Sequence, residues 1–275
     1  MAARDPLNTW EAVARIRATA PLVHSITNYV VMNTTANALL ALGASPVMAH
    51  AVEEVEEMTA LARALVINLG TLSAPWVEAM RKAGLAARRK GIPIVLDPVG
   101  GGATRYRTET ALYLIEELGP TVIRGNASEI RSLAGHAGET KGVDSVHGAE
   151  DAARIARELA GRWDCVVSVS GEVDVIAGVA AEARVANGHP MMPRVTGLGC
   201  TASALTGAFL AVSDSPFDAA AHAMAALGIA GEIAGERAAG PGSFQVLLLD
   251  ALYNLNEEDV ARRLRYRVQV NHSLP

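Results

Sequence analysis

The chain has 275 residues, of which 50% are hydrophobic and 19% charged, and its formal net charge at pH 7 is −5. This composition excludes an intrinsically disordered chain, because it supplies enough apolar side chains for a large core. Acidic and basic residues are interspersed, so the basic stripe typical of nucleic-acid binding is missing. No linker rich in proline, glycine or charge divides the middle of the chain, which predicts a single domain over residues 1–275. We therefore expect a globular protein that binds a small molecule.

The location of the protein is predicted from its most apolar and its N-terminal segments. Residues 1–19 form an amphipathic pattern without an apolar run and a cleavage site, which argues against secretion. The most apolar stretch, residues 219–231, is shorter than the roughly 20 residues that cross a bilayer. Two cysteines, Cys165 and Cys200, do not make a disulfide framework. These features predict a cytoplasmic protein.

Strand and helix patterns alternate along most of the chain. A strand at residues 24–28, a helix at 30–42 and a strand at 43–48 come first. Short apolar, β-branched runs then predict strands at residues 65–68, 92–96, 121–124, 165–169 and 174–177. Helical patterns at residues 75–90, 108–118 and 148–161 have the length that crosses over a parallel sheet, and the chain from residue 199 is mainly helical. This order predicts a layered α/β fold.

Polar residues follow several of these strands directly. They are Asn68, Asp97, Asn126 and Ser170, and most have glycines close by. In open parallel sheets ligands bind beyond the carboxyl ends of the strands. These positions are therefore the first candidates for a binding site.

Asp97 and the pair Asn126 and Glu129 each allow two interpretations. Asp97 is suited to a magnesium–phosphate centre, or it ends its strand as part of an Asp-Pro pair. Asn126 and Glu129 lie one helical turn apart and could address one cation and its waters. The same spacing is typical of an N-cap with a capping-box glutamate, and spacing alone favours that cap.

The segment at residues 194–202 (RVTGLGCTA) leads into an apolar helix predicted at residues 201–212. Its glycines leave backbone N–H groups free at the positive end of the helix, which suits a phosphate, although an ordinary glycine-rich helix start is the alternative. The same helix end predicts a lowered pKa for the Cys200 thiol, which a bound phosphate would oppose. The segment follows no buried strand, which argues against a Rossmann dehydrogenase, and no P-loop motif occurs.

Three other residues have structural explanations from their settings. Met48 is expected in the core if it is considered alone, and Cys165 lies within an apolar strand as inert packing. His24 is as well explained by a structural role as by a ligand role. The histidines form no pair with the spacing of zinc ligands, and we predict no zinc site.

Five ordered motifs together resemble the hydroxyethylthiazole kinase family. They are residues 24–29 (HSITNY), 43–48 (GASPVM), 97–102 (DPVGGG), 122–129 (VIRGNASE) and 195–200 (VTGLGC). The resemblance covers residues 21–212 and continues more loosely beyond them. It implies a ribokinase-like three-layer α/β sandwich with a central, mostly parallel sheet and no separate lid domain. It also implies a homotrimer with active sites between subunits, and ATP-dependent phosphorylation of the thiazole alcohol in thiamine biosynthesis.

The resemblance also implies roles for particular residues. Asn28, Met48 and the Gly197 backbone would line the thiazole pocket, and Gly197, Gly199 and Cys200 would form an anion hole. Arg124 and Ser170 would contact ATP; many relatives have Thr in place of Ser170. Asp97, Asn126 and Glu129 would organise Mg²⁺. Cys200 would be the catalytic residue, at a position where related sugar kinases have Asp.

Two rival functions are considered. One is another ribokinase-like enzyme, such as a hydroxymethylpyrimidine or pyridoxal kinase or an ATP-dependent hydrate dehydratase of nicotinamide cofactors. The setting of Cys200 and residues 24–48 argue against it. The other is a non-catalytic protein that senses the thiazole or ATP, and the presence of Asp97, Glu129 and Cys200 argues against that.

Overall fold

The computed structural model describes residues 8–135 and 145–270, so the first seven residues of the predicted N-terminal segment lie outside it. The helices are α1 (Thr9–Thr19), α2 (Met32–Leu42), α3 (Val55–Leu61), α4 (Ala74–Lys90), α5 (Arg105–Leu118), α6 (Ala127–Leu133), α7 (Ser145–Trp163), α8 (Leu198–Leu210), α9 (Pro216–Gly235), α10 (Pro241–Asn254) and α11 (Glu257–Arg263). The strands are β1 (Leu22–Ile26), β2 (Ser45–Val47), β3 (Ala64–Asn68), β4 (Ile94–Asp97), β5 (Val122–Asn126), β6 (Val166–Ser170), β7 (Asp174–Ala177), β8 (Ala181–Val185) and β9 (Tyr266–Val270). A short 3₁₀ turn covers Met192–Arg194.

The strands form one sheet in the order β2-β1-β3-β4-β5-β6-β7-β8-β9. The pairs from β2 to β6 are parallel, and the pairs from β6 to β9 are antiparallel. Each predicted strand is present, and its ends are shifted by at most two residues. The inner parallel strands are short and almost fully buried, as expected when helices cover both faces of a sheet, whereas the edge strand β2 is half-buried.

Two apolar clusters lie on opposite faces of the sheet. One joins Val66, Val95 and Val122 to side chains of α1, α2, α8, α9 and α10. The other joins Ile67 and other strand residues to α4, α5 and α7. Neighbouring strand residues point to opposite faces, so the unbroken apolar runs feed both clusters. The predicted three-layer α/β sandwich is confirmed.

The elements that were not predicted from sequence include α3, β8 and β9. β9 pairs along the whole of β8, with Ala183 opposite Val268 in the register. Along β9 the exposure alternates, with Arg267 and Gln269 exposed, because this strand lies at the edge of the sheet. The C-terminal third is helical, as predicted, except for this strand.

One arginine joins α1 to the C-terminal end of α10, within the same helical layer. The guanidinium of Arg17 in α1 donates to the carbonyl oxygens of Leu252, Tyr253 and Leu255 at distances of 3.1, 2.8 and 2.9 Å. Carbonyls at a helix C-terminus lack partners within the helix, and a cation there also interacts favourably with the helix dipole. Arg17 therefore caps α10 from a helix more than 230 residues earlier.

Among the described residues, no helix is long and apolar enough to cross a membrane.

Candidate active site

A cavity of about 1320 Å³ opens where β3, β4, β5 and β6 end and α8 begins. Its lining includes nine of the ten residues with predicted site roles, all except Met48, and several residues that were not predicted. The predicted ones are Asn28, Asp97, Arg124, Asn126, Glu129, Ser170, Gly197, Gly199 and Cys200, of which all lie on the cavity wall. The fold thus brings together residues that are far apart in the sequence, such as Asn28 and Cys200, which are separated by 172 positions.

Strand periodicity directs the polar residues toward α8. Asn68, Asp97 and Arg124 each come two residues after a valine that packs on the α8 side of the sheet. Side chains two residues apart on a strand share a face, so all three point the same way. Each is buried. They form a polar floor beneath the start of α8.

A chain of hydrogen bonds crosses this floor. Asn28 Nδ2 donates to Asn68 Oδ1 at 2.9 Å, and Asn68 Nδ2 donates to Asp97 Oδ2 at 2.8 Å. Ser203 Oγ, on α8, donates to the same Asp97 oxygen at 2.7 Å. Asn28 Nδ2 also lies 3.5 Å from Cys200 Sγ. The amide groups and the carboxylate are therefore held in fixed orientations before any ligand binds.

The second carboxylate oxygen of Asp97, Oδ1, accepts no hydrogen bond from the described residues. Asp97 itself is only 1% exposed. Burial, reinforced by the charge of Glu129, raises the pKa of Asp97 to about 6, against the opposing effects of Arg124, Ser203 and Asn68. Simple strand termination does not explain a buried carboxylate oxygen without a partner. The oxygen is suited to a cation.

Glu129 forms the capping box that its spacing predicted. Asn126 Oδ1 accepts from the Glu129 backbone N–H at 3.0 Å, and Glu129 Oε2 accepts from the Asn126 N–H at 2.8 Å. Glu129 Oε1 accepts in addition from the N–H of Gly100, in the loop after β4, at 3.0 Å. The capping interpretation is confirmed, and a metal role for this pair stays a prediction. The described residues contain no group of three or more His, Cys, Asp or Glu side chains placed to hold a metal.

The start of α8 depends on a glycine. Gly197 has φ of 82°, and a Cβ added to it would lie 2.4 Å from Val31 Cγ1. Only glycine adopts this conformation without strain and permits this close approach. α8 begins at Leu198, three residues before its predicted start, and no side chain caps it. Its first N–H groups are therefore free for a ligand.

Arg124 lies against this helix start. A Cβ added to Gly199 would lie 2.8 Å from Arg124 Nη1, so the guanidinium packs directly on the first turn of α8. Arg124 is buried, and its Nε has no hydrogen-bond partner among the described residues. A buried guanidinium and the positive end of a helix together favour a phosphate group.

Cys200 differs from its prediction in one respect. Burial and the neighbouring Asp97 charge raise the pKa of the Cys200 thiol to about 11, although Asn68 and Asn28 lower it in part. The expectation that the helix end lowers this pKa is wrong, because the thiol is buried beside a carboxylate. Cys200 is a neutral thiol at pH 7.

Asp174 is a wall residue that sequence reasoning missed. It is buried at the first position of β7, and its Oδ1 accepts from the N–H of Gly171 at 3.0 Å. Burial raises its pKa to about 7, partly offset by Gly171 and Arg124. The sequence does show an acidic residue four positions after Ser170. Asp174 was missed because it begins a strand, whereas the predicted site residues were those that follow strands.

The remaining predicted residues lie elsewhere. Met48 is half-buried after β2 and does not line the cavity of this chain. Cys165 is buried in the core, as predicted, and burial raises its pKa to about 12. His24 is fully buried, with Nδ1 2.9 Å from Thr59 Oγ1 and Nε2 2.8 Å from the Ala49 carbonyl oxygen. Both ring nitrogens are used by the fold, which supports the structural interpretation of His24.

Comparison with known families identifies the chain. The family model described as the hydroxyethylthiazole kinase family matches residues 13–258. The chain belongs to the hydroxyethylthiazole kinase family. A hydroxyethylthiazole kinase of Syntrophus aciditrophicus is 61% identical over 94% of this chain and 97% of its own length. A hydroxyethylthiazole kinase of Oleidesulfovibrio alaskensis is 58% identical over 91% of this chain and 94% of its own length.

Solved structures agree with membership of the hydroxyethylthiazole kinase family. The hydroxyethylthiazole kinase protein of Pyrococcus horikoshii superposes with a TM-score of 0.88 at 48% identity, over 95% of this chain and 98% of that one. The pyridoxal kinase of Staphylococcus aureus, in complex with AMP-PCP and pyridoxal, gives a TM-score of 0.61 at 17% identity, over 92% of this chain and 99% of that one. At that identity the second likeness shows the fold alone, and the predicted ribokinase-like fold is confirmed.

Proposed function

We propose that this protein transfers the γ-phosphoryl group of ATP to the hydroxyl of 4-methyl-5-(2-hydroxyethyl)thiazole, in thiamine biosynthesis or salvage. Membership of the hydroxyethylthiazole kinase family supports the reaction. The observation that carries it is the single cavity in which Asp97 Oδ1, the free N–H groups of α8 and the guanidinium of Arg124 meet. Phosphoryl transfer needs positioning and charge neutralisation more than covalent machinery, and these groups supply both.

The cavity has room for two substrates. At one end, Asn28 and the Gly197 backbone face the hydroxyl of the thiazole, and Cys200 completes the anion hole with Gly197 and Gly199. At the other end, Arg124 and Ser170 contact ATP, and Asn126 stands opposite Ser170 in the sheet register. The phosphoryl group then passes across the start of α8, between the two ends.

Asp97, Asn126 and Glu129 are the residues that would hold Mg²⁺. The buried Asp97 oxygen without a partner is the observation that fits a cation there. Mg²⁺ usually keeps several waters and binds through one or two carboxylates together with substrate phosphates. When bound, Mg²⁺ neutralises charge on the phosphate oxygens. Glu129 already accepts two backbone N–H bonds, which fixes its carboxylate and favours contact through water.

The reaction forms a bond from the substrate hydroxyl oxygen to the γ-phosphorus. It breaks the bond from that phosphorus to the bridging oxygen, whose electron pair leaves on ADP. In a loose transition state the hydroxyl keeps its proton until late and then releases it to the phosphoryl group or to water. Cys200, with its raised pKa, serves in this proposal as part of the anion hole more than as the base.

We extend the proposal to the assembly: a homotrimer with active sites between subunits. Tyr29 and Val30, next to Asn28 at the mouth of the cavity, are 62% and 70% exposed, which is unusual for adjacent large apolar residues. Met48 lies outside the cavity of its own chain, and in a trimer it would reach the site of a neighbour. A single domain and a cytoplasmic location stay predictions.

The test is mass-spectrometric detection of product from purified protein with ATP and a panel of thiazole, pyrimidine and pyridoxine alcohols. We expect phosphorylation of hydroxyethylthiazole, and its loss when EDTA removes Mg²⁺. Faster conversion of the pyrimidine alcohol under equal conditions would contradict the proposed substrate. Binding of the thiazole without any phosphorylated product would favour the sensor instead.

A further inference from the structure

One wall of the cavity is formed by the segment at residues 186–193, which we call the far wall. It leaves the sheet at the end of β8, on the same edge as Ser170, because two antiparallel steps make β8 run parallel to β6. In the proposed function the phosphates lie at the start of α8 and the thiazole at Gly197, so the far wall, which lines the same cavity, is the surface left for the rest of the nucleotide. Pro190 and Met192 of the far wall, with Met224 and Leu227 of the neighbouring helix α9, give this part of the cavity an apolar surface that suits a nucleobase.

The far wall is held in place by one carboxylate outside the cavity. Glu232 Oε1, on α9, accepts from Asn187 Nδ2 at 2.9 Å, from the Gly188 N–H at 3.1 Å and from Arg265 Nη2 at 2.5 Å. Glu232 does not line the cavity, whereas Asn187, Gly188 and Arg265 do. Three donors on one oxygen of a largely buried carboxylate make a charge-assisted cluster.

Asn187 joins this carboxylate to the C-terminal segment of the chain. Its Oδ1 accepts from the Arg265 N–H at 2.8 Å, and its Nδ2 also donates to the Arg263 carbonyl oxygen at 2.7 Å. Arg265 in turn donates through Nε and Nη2 to the Ala186 carbonyl oxygen, at 3.0 and 2.7 Å. Every polar atom of the Asn187 side chain is thus engaged, and the far wall has one defined position.

Close packing supports the same position. A Cβ added to Gly228 on α9 would lie 2.6 Å from the Asn187 carbonyl oxygen, so the backbone of the far wall rests directly on the helix. At Gly231 an added Cβ would meet only the flexible end of Met192, at 2.7 Å from Sδ. The contact at Gly228 therefore fixes backbone, and the contact at Gly231 does not.

We propose that Glu232 is a positioning residue for the nucleotide: through Asn187, Gly188 and Arg265 it holds the far wall against the nucleoside end of ATP. This inference rests on the proposed function. Loss of Glu232 leaves Asn187 and Gly188 with unsatisfied donors, so the wall departs from its binding position. Among the described residues, the hydrogen-bond partners of the Glu232 side chain are Asn187, Gly188 and Arg265 and do not include Asn28 or Gly197, so we expect the thiazole end to be unaffected.

The experiment compares Glu232→Ala with Glu236→Ala by steady-state kinetics and by calorimetric titration of ADP. Glu236 is the matched control, since it lies one turn later and accepts from Arg263 on the exposed surface. For Glu232→Ala we expect KM for ATP and Kd for ADP to rise about tenfold, with kcat and KM for the thiazole within about twofold. For Glu236→Ala we expect no change. Glu232→Gln, which keeps the acceptor oxygen, should regain part of the affinity and serves if the alanine variant does not fold.

Unchanged ADP affinity in a folded Glu232 variant, or an equal rise of KM for both substrates, would overturn the inference. Gly228→Ala and Gly231→Ala give an independent comparison, with the rise in Kd for ADP expected only in the first. Wild-type protein that forms no thiazole phosphate would instead refute the proposed function, because the ADP titration does not depend on turnover.

Discussion

Asp97 is a residue that function needs and folding does not favour. Its carboxylate is buried, one oxygen has no partner among the described residues, and burial raises its pKa to about 6. The folded protein therefore holds this proton more tightly than the unfolded chain, whose carboxyl has a pKa near 3.8. The stability that protonated Asp97 contributes is complete at low pH and is lost as pH rises through about 6.

Asp97→Asn should separate stability from activity. We expect the unfolding free energy of the variant, measured relative to wild type, to be higher at pH 8 than at pH 5 by on the order of 1 kcal/mol, because only the wild type loses the contribution of the bound proton. We expect its turnover to fall at least about a hundredfold. Urea unfolding at the two pH values, without ATP or Mg²⁺, measures the first effect. Asp250→Asn, at an exposed position, is the control, and equal pH dependence in all three proteins would contradict the prediction.

Cys200 should contribute to turnover without being essential. Because its thiol is neutral at pH 7, we expect Cys200→Ala to lose less than the roughly hundredfold that marks removal of a general base. Cys200→Asp should match or exceed the wild type, since the introduced carboxylate beside Asp97 gains a raised pKa and can accept the hydroxyl proton. Single-turnover phosphorylation of the thiazole compares the three proteins. An alanine variant equal to wild type would remove Cys200 from the mechanism and leave it a packing residue.

At the scale of elements, the start of α8 is constrained both by its backbone conformation and by close packing at Gly197. Gly197 combines a positive φ with a close approach to Val31, and the helix that follows supplies the anion hole. A change of conformation at this one residue redirects the first N–H groups of the helix. The element therefore transmits a small backbone change directly to the phosphate.

Gly197→Ala should reduce both stability and turnover, because its Cβ lies too close to Val31 and because alanine is strained at this φ. We expect a loss of about 1–3 kcal/mol in unfolding free energy. The double variant with Val31→Ala removes the steric part and leaves the backbone strain, so it should recover only part of the loss. Thermal unfolding and turnover of the single and double variants measure this, and full recovery would show that the conformation of Gly197 is unimportant.

Local sequence patterns predicted the strands and helices of the fold better than they predicted the side-chain contacts between them. Asn68, Asp97 and Asn126 were found because a polar residue after a buried strand is visible in the sequence, whereas the role of Arg124 came only from the family resemblance. The bond between Asp97 and Ser203 was not found, since its partners are 106 residues apart. The pKa of Cys200 was misjudged because burial cannot be read from a helix start. β9 was missed because it is a short edge strand. Its arginine and glutamine alternate with tyrosine and valine, so it lacks the unbroken apolar run of the inner strands.

At the scale of the whole molecule, the proposed trimer makes a prediction about mixed assemblies. If Met48 serves the site of a neighbouring subunit, a Met48→Arg subunit and an Asp97→Asn subunit carry defects in different parts of each shared site. We expect each variant alone to be nearly inactive and a co-expressed mixture to recover a fraction of wild-type turnover, at sites whose two contributors are both intact. Light scattering should give a trimer for all three samples. No recovery in mixed trimers would place Met48 outside the active site.

The 106 residues between Asp97 and Ser203 also set the order in which the site appears during synthesis. At about 5–20 residues per second, roughly 5–20 s pass on the ribosome between translation of β4 and translation of α8. During that interval the Asp97 face of the emerging sheet lacks its helix, and no anion hole exists for ATP to bind. Nucleotide therefore cannot assist the early steps of folding in the cell, and the apolar strand residues that α8 covers have no helix over them until α8 is made.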